Sequence, residues 1–139
     1  MYPASTKFLI VDDHATMRKY IMQSLRQMGY YNIIEAVDGQ SALFFLKEHY
    51  HKNTPVEFII SDWNMPNMKG IDLLKQCRST PEFKSIPFIL VTGERDREKI
   101  IEAANSGVSD YIIKPFSEVK IKHKMEKIYI KHHPGKISA

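Results

Sequence analysis

The sequence lacks most of the features that assign a protein quickly. It has one cysteine, Cys77, in 139 residues. No internal disulfide can form, and Cys77 falls in a helical pattern as a small core hydrophobe. No apolar run approaches the ~18 residues of a membrane span. The opening residues, Met1-Tyr2-Pro3-Ala4-Ser5-Thr6-Lys7, lack the separate charged and apolar regions of a secretory signal. The expected location is therefore the cytoplasm, without membrane insertion. The six glycines, Gly29, Gly39, Gly70, Gly93, Gly107 and Gly135, are too scattered for a glycine-rich phosphate loop. Internal repeats and low-complexity segments are absent too.

What is present fits a single globular domain. Hydrophobic residues make up 43% and charged residues 26% of the chain, ordinary values for a protein with a packed core. The expected unit is one domain over 1–139, with a core of about 7–130, a basic tail of 131–139 and no output domain. The net charge of +4 is unevenly placed. From Ser117 onward, Lys120, Lys122, Lys124, Lys127, Lys131 and Lys136 face only Glu118 and Glu126. Such a run is a solvated helix face or a surface for an acidic partner. Sparse aromatics and the lack of a DNA-binding motif argue against nucleic acid.

Apolar periodicity orders the rest. Lys7 to Val11 is a buried-strand run that stops at Asp12-Asp13. Met17, Tyr20, Ile21, Leu25 and Met28 recur at helical spacing, and Gly29 closes that helix. Asn32 to Ala36 is a second strand, and Asp38-Gly39 turns into a helix carrying Ala42, Leu43 and Leu46. His49 to Pro55 is a polar connection. Phe58 to Asp62 is a third strand, and Ile71, Leu74 and Cys77 mark the next helix. Pro87 introduces the strand Phe88 to Val91, which ends at Thr92-Gly93; Ile100, Ile101 and Ala104 are the expected core face of the helix that Gly107 closes. Tyr111 to Ile113 runs into Lys114-Pro115-Phe116, and Ile121, Met125 and Ile128 define the last helix. Strands alternating with helices demand parallel pairing and right-handed crossovers, hence a doubly wound α/β fold with a five-stranded parallel sheet and five helices.

In such a sheet, function gathers outside the carboxyl ends of the strands. Those ends supply Asp12, Asp13, Asp62, Thr92 and Lys114. Taken alone, Asp62 reads equally as a turn former or a helix cap, and the whole set reads as a salt-bridged rim of caps or as a site. As a site, three carboxylates in a small volume raise each other's pKa. A hard divalent cation relieves that repulsion, and oxygen ligands suit Mg2+ rather than zinc. Lys114 suits a phosphoryl oxygen, and Thr92 can donate a hydrogen bond to another. With charge neutralised in this way, an aspartate can attack phosphorus and become an acyl phosphate. The strand ends hold no Ser-His-Asp arrangement. His49, His51, His132 and His133 are expected in solvent; His14 is expected at the pocket rim, where packing is favoured over metal ligation because Mg2+ prefers oxygen.

Leu9-Ile10-Val11-Asp12-Asp13, Ser61-Asp62-Trp63-Asn64-Met65-Pro66-Asn67-Met68, Val91-Thr92-Gly93 and Tyr111-Ile112-Ile113-Lys114-Pro115-Phe116 occur in that order. In combination they resemble a response-regulator receiver domain, more narrowly the stand-alone chemotaxis members, over most of the chain. The resemblance implies a flavodoxin-like sheet of order 2-1-3-4-5. It implies that Asp62 accepts a phosphoryl group from a phosphohistidine on a sensor histidine kinase. Asp13, Asp62 and the backbone carbonyl of Asn64 would hold Mg2+, with Asp12 assisting. Lys114, followed by a cis bond to Pro115, would contact the phosphoryl group; Thr92 and Tyr111 would act as switch residues. Asn64 and Glu94 would tune phosphate lifetime, and Tyr111 and Lys124 would face the partner.

The implied protein is a monomeric phosphoacceptor that assists its own phosphorylation and dephosphorylation rather than an enzyme. Its implied partners are the kinase, a flagellar motor switch protein and a phosphatase. The alternative is a receiver in another phosphorelay, or one that regulates another enzyme. Phosphatases with an Asp nucleophile usually carry a second Asp where Asn64 stands. Departures from the chemotaxis pattern are the longer connection from His49 to Pro55, His14 in place of an aromatic, Gly93 in place of alanine, and the basic tail. Gly93 is expected to loosen the loop that carries Thr92.

Overall fold

The computed structural model describes residues 1–93 and 97–135. Strands β1 (Phe8–Val11), β2 (Ile33–Ala36), β3 (Phe58–Asp62), β4 (Phe88–Thr92) and β5 (Asp110–Ile113) alternate with helices α1 (Ala15–Gln27), α2 (Gly39–His51), α3 (Gly70–Ser79), α4 (Arg97–Asn105) and α5 (Glu118–His132). All strand pairs are parallel, in the order β2-β1-β3-β4-β5. The expected doubly wound architecture is what the chain forms.

The three central strands are apolar on both faces because each face carries helices. Leu9 and Val11 of β1, Ile59 of β3 and Leu90 of β4 join Ala42, Leu46, Leu74, Cys77 and Ala103 of α2, α3 and α4 in one core. The alternate residues Phe8, Ile10, Phe58, Ile60 and Ile89 join Ile21, Leu25, Ile121, Met125 and Ile128 of α1 and α5 in the other. The period of two along each strand thus divides the molecule into two hydrophobic layers. Cys77 is fully buried, and its thiol pKa is pushed up to about 12 by that burial, so it behaves as an inert core group.

Several boundaries differ from the sequence reading. The polar stretch at His49 is the last turn of α2, which runs to His51; its amphipathic partners Ala42 and Leu46 anchor a helix that polar residues simply continue. His49 is half-buried, with Nδ1 3.1 Å from Lys7 Nζ. In α4 the buried residue is Ala103, whereas Ile101 is half exposed and Ala104 exposed. At 100° per residue, Ile100 and Ala103 share the face turned to the sheet and Ile101 and Ala104 lie a step around from it. Helix α5 continues through Lys131 and His132, so the basic run begins as helix rather than tail. His133 stacks on Tyr129 with ring centres 4.1 Å apart, and Tyr2 packs edge-on against Phe58 and Tyr129. The aromatic packing therefore extends the core to both flanks. Lys136 lies outside the described residues.

Two glycines shape the backbone, and the second lies at the site. Gly29, at φ +95°, ends α1 just after the C-cap Met28 and turns the chain toward β2 in a left-handed conformation open to glycine without strain. Gly70 begins α3, where its N–H donates to the Trp63 carbonyl at 2.9 Å. A Cβ on Gly70 would overlap the carbonyl oxygen of Asp62 and crowd Leu90. Only glycine lets α3 start this close behind the tip of β3. Gly70→Ala is expected to destabilise the fold by about 2 kcal/mol through overpacking, read as a lowered urea midpoint; an unchanged midpoint would show that the backbones separate at no cost.

Candidate functional site

Strand order reverses between β1 and β3, with the chain proceeding to β2 on one side and β4 on the other. Crossover connections diverge at such a switch point and leave a crevice between the strand tips. Val11 pairs with Ser61 across it, so Asp12 and Asp62, each one residue further along, emerge side by side. Neighbouring tips are stitched together by backbone bonds: Asp12 N–H donates to the Ala36 carbonyl at 3.1 Å, Trp63 N–H to Val91 at 2.8 Å, and Lys114 N–H to Thr92 at 2.8 Å. The expected convergence of strand ends is met in space.

Asp12 and Asp62 are buried, 1% and 5% exposed, whereas Asp13 opens to solvent. Lys114 reaches across from β5, its Nζ donating to Asp62 Oδ1 at 2.9 Å. The Lys114–Pro115 bond is cis. Burial, with the charge of Asp12 added, holds the Asp62 carboxyl above the ordinary carboxylate range; the hydrogen bond and charge of Lys114 act against this without overcoming it. Thr92 is buried at the tip of β4. Asn64 is exposed on the loop after β3. Tyr111 is half-buried on β5, and Lys124 of α5 lies 5.3 Å above its ring while donating to Asp110 at 3.0 Å. Glu94 lies outside the described residues. A Cβ on Gly93 would meet nothing within 4 Å, so alanine would fit that position equally well.

The donor set fits a divalent cation. One ligand atom from each of Asp12, Asp13, His14 and Asp62 falls within 4.8 Å of the others. Asp12 Oδ1 accepts the His14 N–H at 2.8 Å, while Asp12 Oδ2 is buried with no hydrogen-bond partner among the described residues. A buried carboxylate oxygen without a donor is costly unless something positive arrives. The carboxylates supply the hard oxygen ligands that Mg2+ takes.

His14 stands at the rim, beside the acidic pair. Its side chain is 70% exposed and its Nδ1 lies 3.3 Å from Asp12 Oδ1 and 3.2 Å from Asp13 Oδ1. Three further contributors escaped the sequence reading. Arg18 of α1 donates to the Asp12 carbonyl at 2.8 Å and to Glu35 at 3.0 Å, which fixes the tip of β1. Asp38 caps α2 by accepting from Ser41 N–H at 2.8 Å. It also accepts from Asn67 Nδ2 at 2.8 Å, tying the loop that carries Asn64 to the next element. Asn67 has φ +67°, a left-handed conformation that asparagine tolerates well. The Asp38–Ser41 spacing was a readable capping signal; the cross-loop bond to Asn67 had no local signature.

The family model for the response regulator receiver domain matches residues 8–126. The chain belongs to that receiver family. Among curated relatives, this receiver is 47% identical over 123 residues to the chemotaxis protein CheY-3 of Vibrio cholerae, covering 88% of this chain and 91% of the relative. It is 46% identical to the chemotaxis protein CheY of Pseudomonas aeruginosa over 88% of this chain and 95% of that one. Among solved structures, the chemotaxis response regulator CheY4 of Vibrio cholerae superposes with a TM-score of 0.77 at 29% identity, over 89% of this receiver and 98% of that chain. The signal receiver domain of an HD domain-containing protein from Pseudomonas fluorescens superposes with a TM-score of 0.80 at 25% identity, over 93% of this chain and 98% of that one. The receiver is thus the phosphoacceptor module of a two-component signalling system. No helix among the described residues is long and apolar enough to cross a membrane.

A carboxyl whose folded pKa lies above its unfolded value contributes stability that is complete below the unfolded value and lost as pH rises through the folded one. At neutral pH without metal, ionised Asp62 therefore costs stability. Asp62→Asn is expected to stabilise the metal-free protein at pH 7, with the gain shrinking as pH falls. Mg2+ at a hundredfold excess over its dissociation constant should reverse the ranking by adding about 2.7 kcal/mol to the native protein. Urea denaturation with and without Mg2+ reads both effects; an Asn variant less stable in metal-free buffer contradicts them.

Proposed function

We propose that this receiver accepts a phosphoryl group on Asp62 from a phosphohistidine of a sensor histidine kinase and then switches a protein partner, most simply a flagellar motor switch protein. The observation that carries the reading is the Lys114 ammonium, 2.9 Å from a buried carboxylate that shares its crevice with two further acids. A structural ion pair needs no second and third carboxylate beside it. A phosphoryl transfer site does, because the acids hold the cation that offsets the charge of the incoming group.

Asp12, Asp13, Asp62 and the Asn64 backbone carbonyl would hold Mg2+, which supplies charge neutralisation at the phosphoryl oxygens. An Asp62 oxygen attacks phosphorus, the phosphorus–nitrogen bond of the donor breaks, and its electron pair leaves with the imidazole. The product is an acyl phosphate on Asp62. Lys114, already paired with the carboxylate, transfers its hydrogen bond to a phosphoryl oxygen with little movement. Thr92, whose backbone carbonyl accepts from Lys114 N–H, follows through its hydroxyl. A new dianion thus draws a cation and a hydroxyl to one point, and the surrounding packing selects one of two arrangements. Loss of the phosphoryl group to water, paced by Asn64 and Glu94 and by any phosphatase partner, resets the site.

The output face is read as α4, β5 and α5. A cleft of about 640 Å³ lies there, lined by Tyr111, Ile113, Pro115, Phe116, Val119 and Lys124 among others. Inward movement of Tyr111 behind Thr92 would release Lys124 from the ring and reshape that cleft. The chemotaxis role of the relatives supports a motor partner over an unrelated phosphorelay. The cytoplasm is the proposed compartment, since the kinase domain, acyl-phosphate donors and Mg2+ meet there.

Incubation with acetyl phosphate and Mg2+ should label the native chain and not Asp62→Asn; equal labelling of the two would refute the acceptor assignment. Lys114→Ala should still bind Mg2+ but lose phosphate-dependent partner binding. A pull-down of motor switch protein with and without beryllofluoride tests the output. Affinity independent of beryllofluoride moves the receiver into another circuit.

A further inference from the structure

His14 has no part in the phosphoryl chemistry above, yet its ring turns into the acidic crevice. It is the N-cap residue of α1, in extended conformation, and its side chain makes no capping bond to the helix. Its backbone N–H is instead committed to Asp12 Oδ1 at 2.8 Å. That bond fixes the Cα beside the carboxylates and leaves Nδ1 3.3 Å from Asp12 Oδ1 and 3.2 Å from Asp13 Oδ1. Two ligands ~2.1 Å from one ion, at angles between octahedral and tetrahedral, stand about 3.0–3.4 Å apart. Both nitrogen–oxygen separations fall in that window. The independent sign that the crevice takes a cation is Asp12 Oδ2, buried and without a hydrogen-bond partner among the described residues. The neighbouring Arg18 does not meet that need, because it is engaged with Glu35 and the Asp12 carbonyl.

We propose that His14 is a nitrogen ligand of the cation site, binding through Nδ1, and that it converts an all-oxygen Mg2+ site into a mixed site preferring first-row transition ions such as Ni2+. Imidazole is a borderline ligand that adds strongly to Ni2+ and Zn2+ affinity and little to Mg2+, which keeps oxygen and water around it. The ligating tautomer carries its proton on Nε2. The inference rests on the acidic crevice binding a divalent cation at all, and the measurement separates the two. Trp63 is the sole tryptophan and is buried next in the chain to Asp62, so its fluorescence is a probe fixed beside the tip of β3.

Metal-free full-length protein is titrated separately with Mg2+ and Ni2+, following Trp63, for the native chain, His14→Phe, His14→Gln and Asp13→Asn. Both His14 variants should bind Ni2+ about tenfold or more weakly while Mg2+ affinity stays within roughly twofold, which also shows that they fold. Unchanged Ni2+ affinity in His14→Phe overturns the proposal. So does Ni2+ affinity kept by His14→Gln, since a hydrogen bond would then suffice, or a parallel loss of both metals, since His14 would then merely orient Asp12. Failure of the native protein to respond to Mg2+, or an Asp13→Asn variant that responds like the native one, removes the cation reading itself.

Discussion

Crowding of negative charge at one point of the sheet is the constraint on which the rest depends. Asp12 and Asp62 are buried side by side at the switch between β1 and β3, with Asp13 at the mouth of the same crevice. Like charges at such range are unfavourable in a low-dielectric setting. Lys114 compensates Asp62 directly, but Asp12 keeps an oxygen with no donor among the described residues. The fold supplies the means to hold this arrangement: two hydrophobic layers clamp the sheet, backbone bonds join the strand tips, and Gly70 lets α3 start against the Asp62 carbonyl. Stability of the layers is spent on keeping the acids together, as sites of this kind require.

That unrelieved charge makes the crevice responsive. A cation or a phosphoryl group arriving there would meet that unbalanced charge directly. The groups positioned to react, Lys114 and Thr92, lie on adjacent strand ends joined by a backbone hydrogen bond. From β5 the path to the surface is short, because Tyr111 is three residues before Lys114 and carries the Lys124 ammonium over its ring. A single strand thus leads from Lys114 just past its tip to Tyr111 beside the surface cleft.

Much of this was legible in the chain itself. Apolar runs ending in Asp12-Asp13, Asp62, Thr92 and Lys114 named the strands, and a strand-helix alternation left parallel pairing as the only economical arrangement. The buried faces of α2, α3 and α5 followed from spacing alone. The face of α4 did not: Ile100 and Ile101 are adjacent, and hydrophobicity cannot say which one the sheet will cover. Helix ends at His51 and His132 were missed because polar residues at a helix terminus look like loop. The receiver motifs pointed to the acidic pair, Asp62 and Lys114 by residue type and order.

Tertiary structure decided what no spacing encodes. The approach of Lys114 Nζ to Asp62 Oδ1 joins residues 52 positions apart, and the clasp of Asn67 on Asp38 joins residues 29 apart. The placing of His14 beside the acids rests on its backbone bond to Asp12, and the direction of its ring on side-chain torsions that no spacing encodes. By itself the sequence determined which chemical groups reach the edge of the sheet, since strand polarity and length follow from local pattern. Only the folded chain determined their distances, burial and mutual charge, since these arise where separate strands meet and one side chain's solvent is another's neighbour.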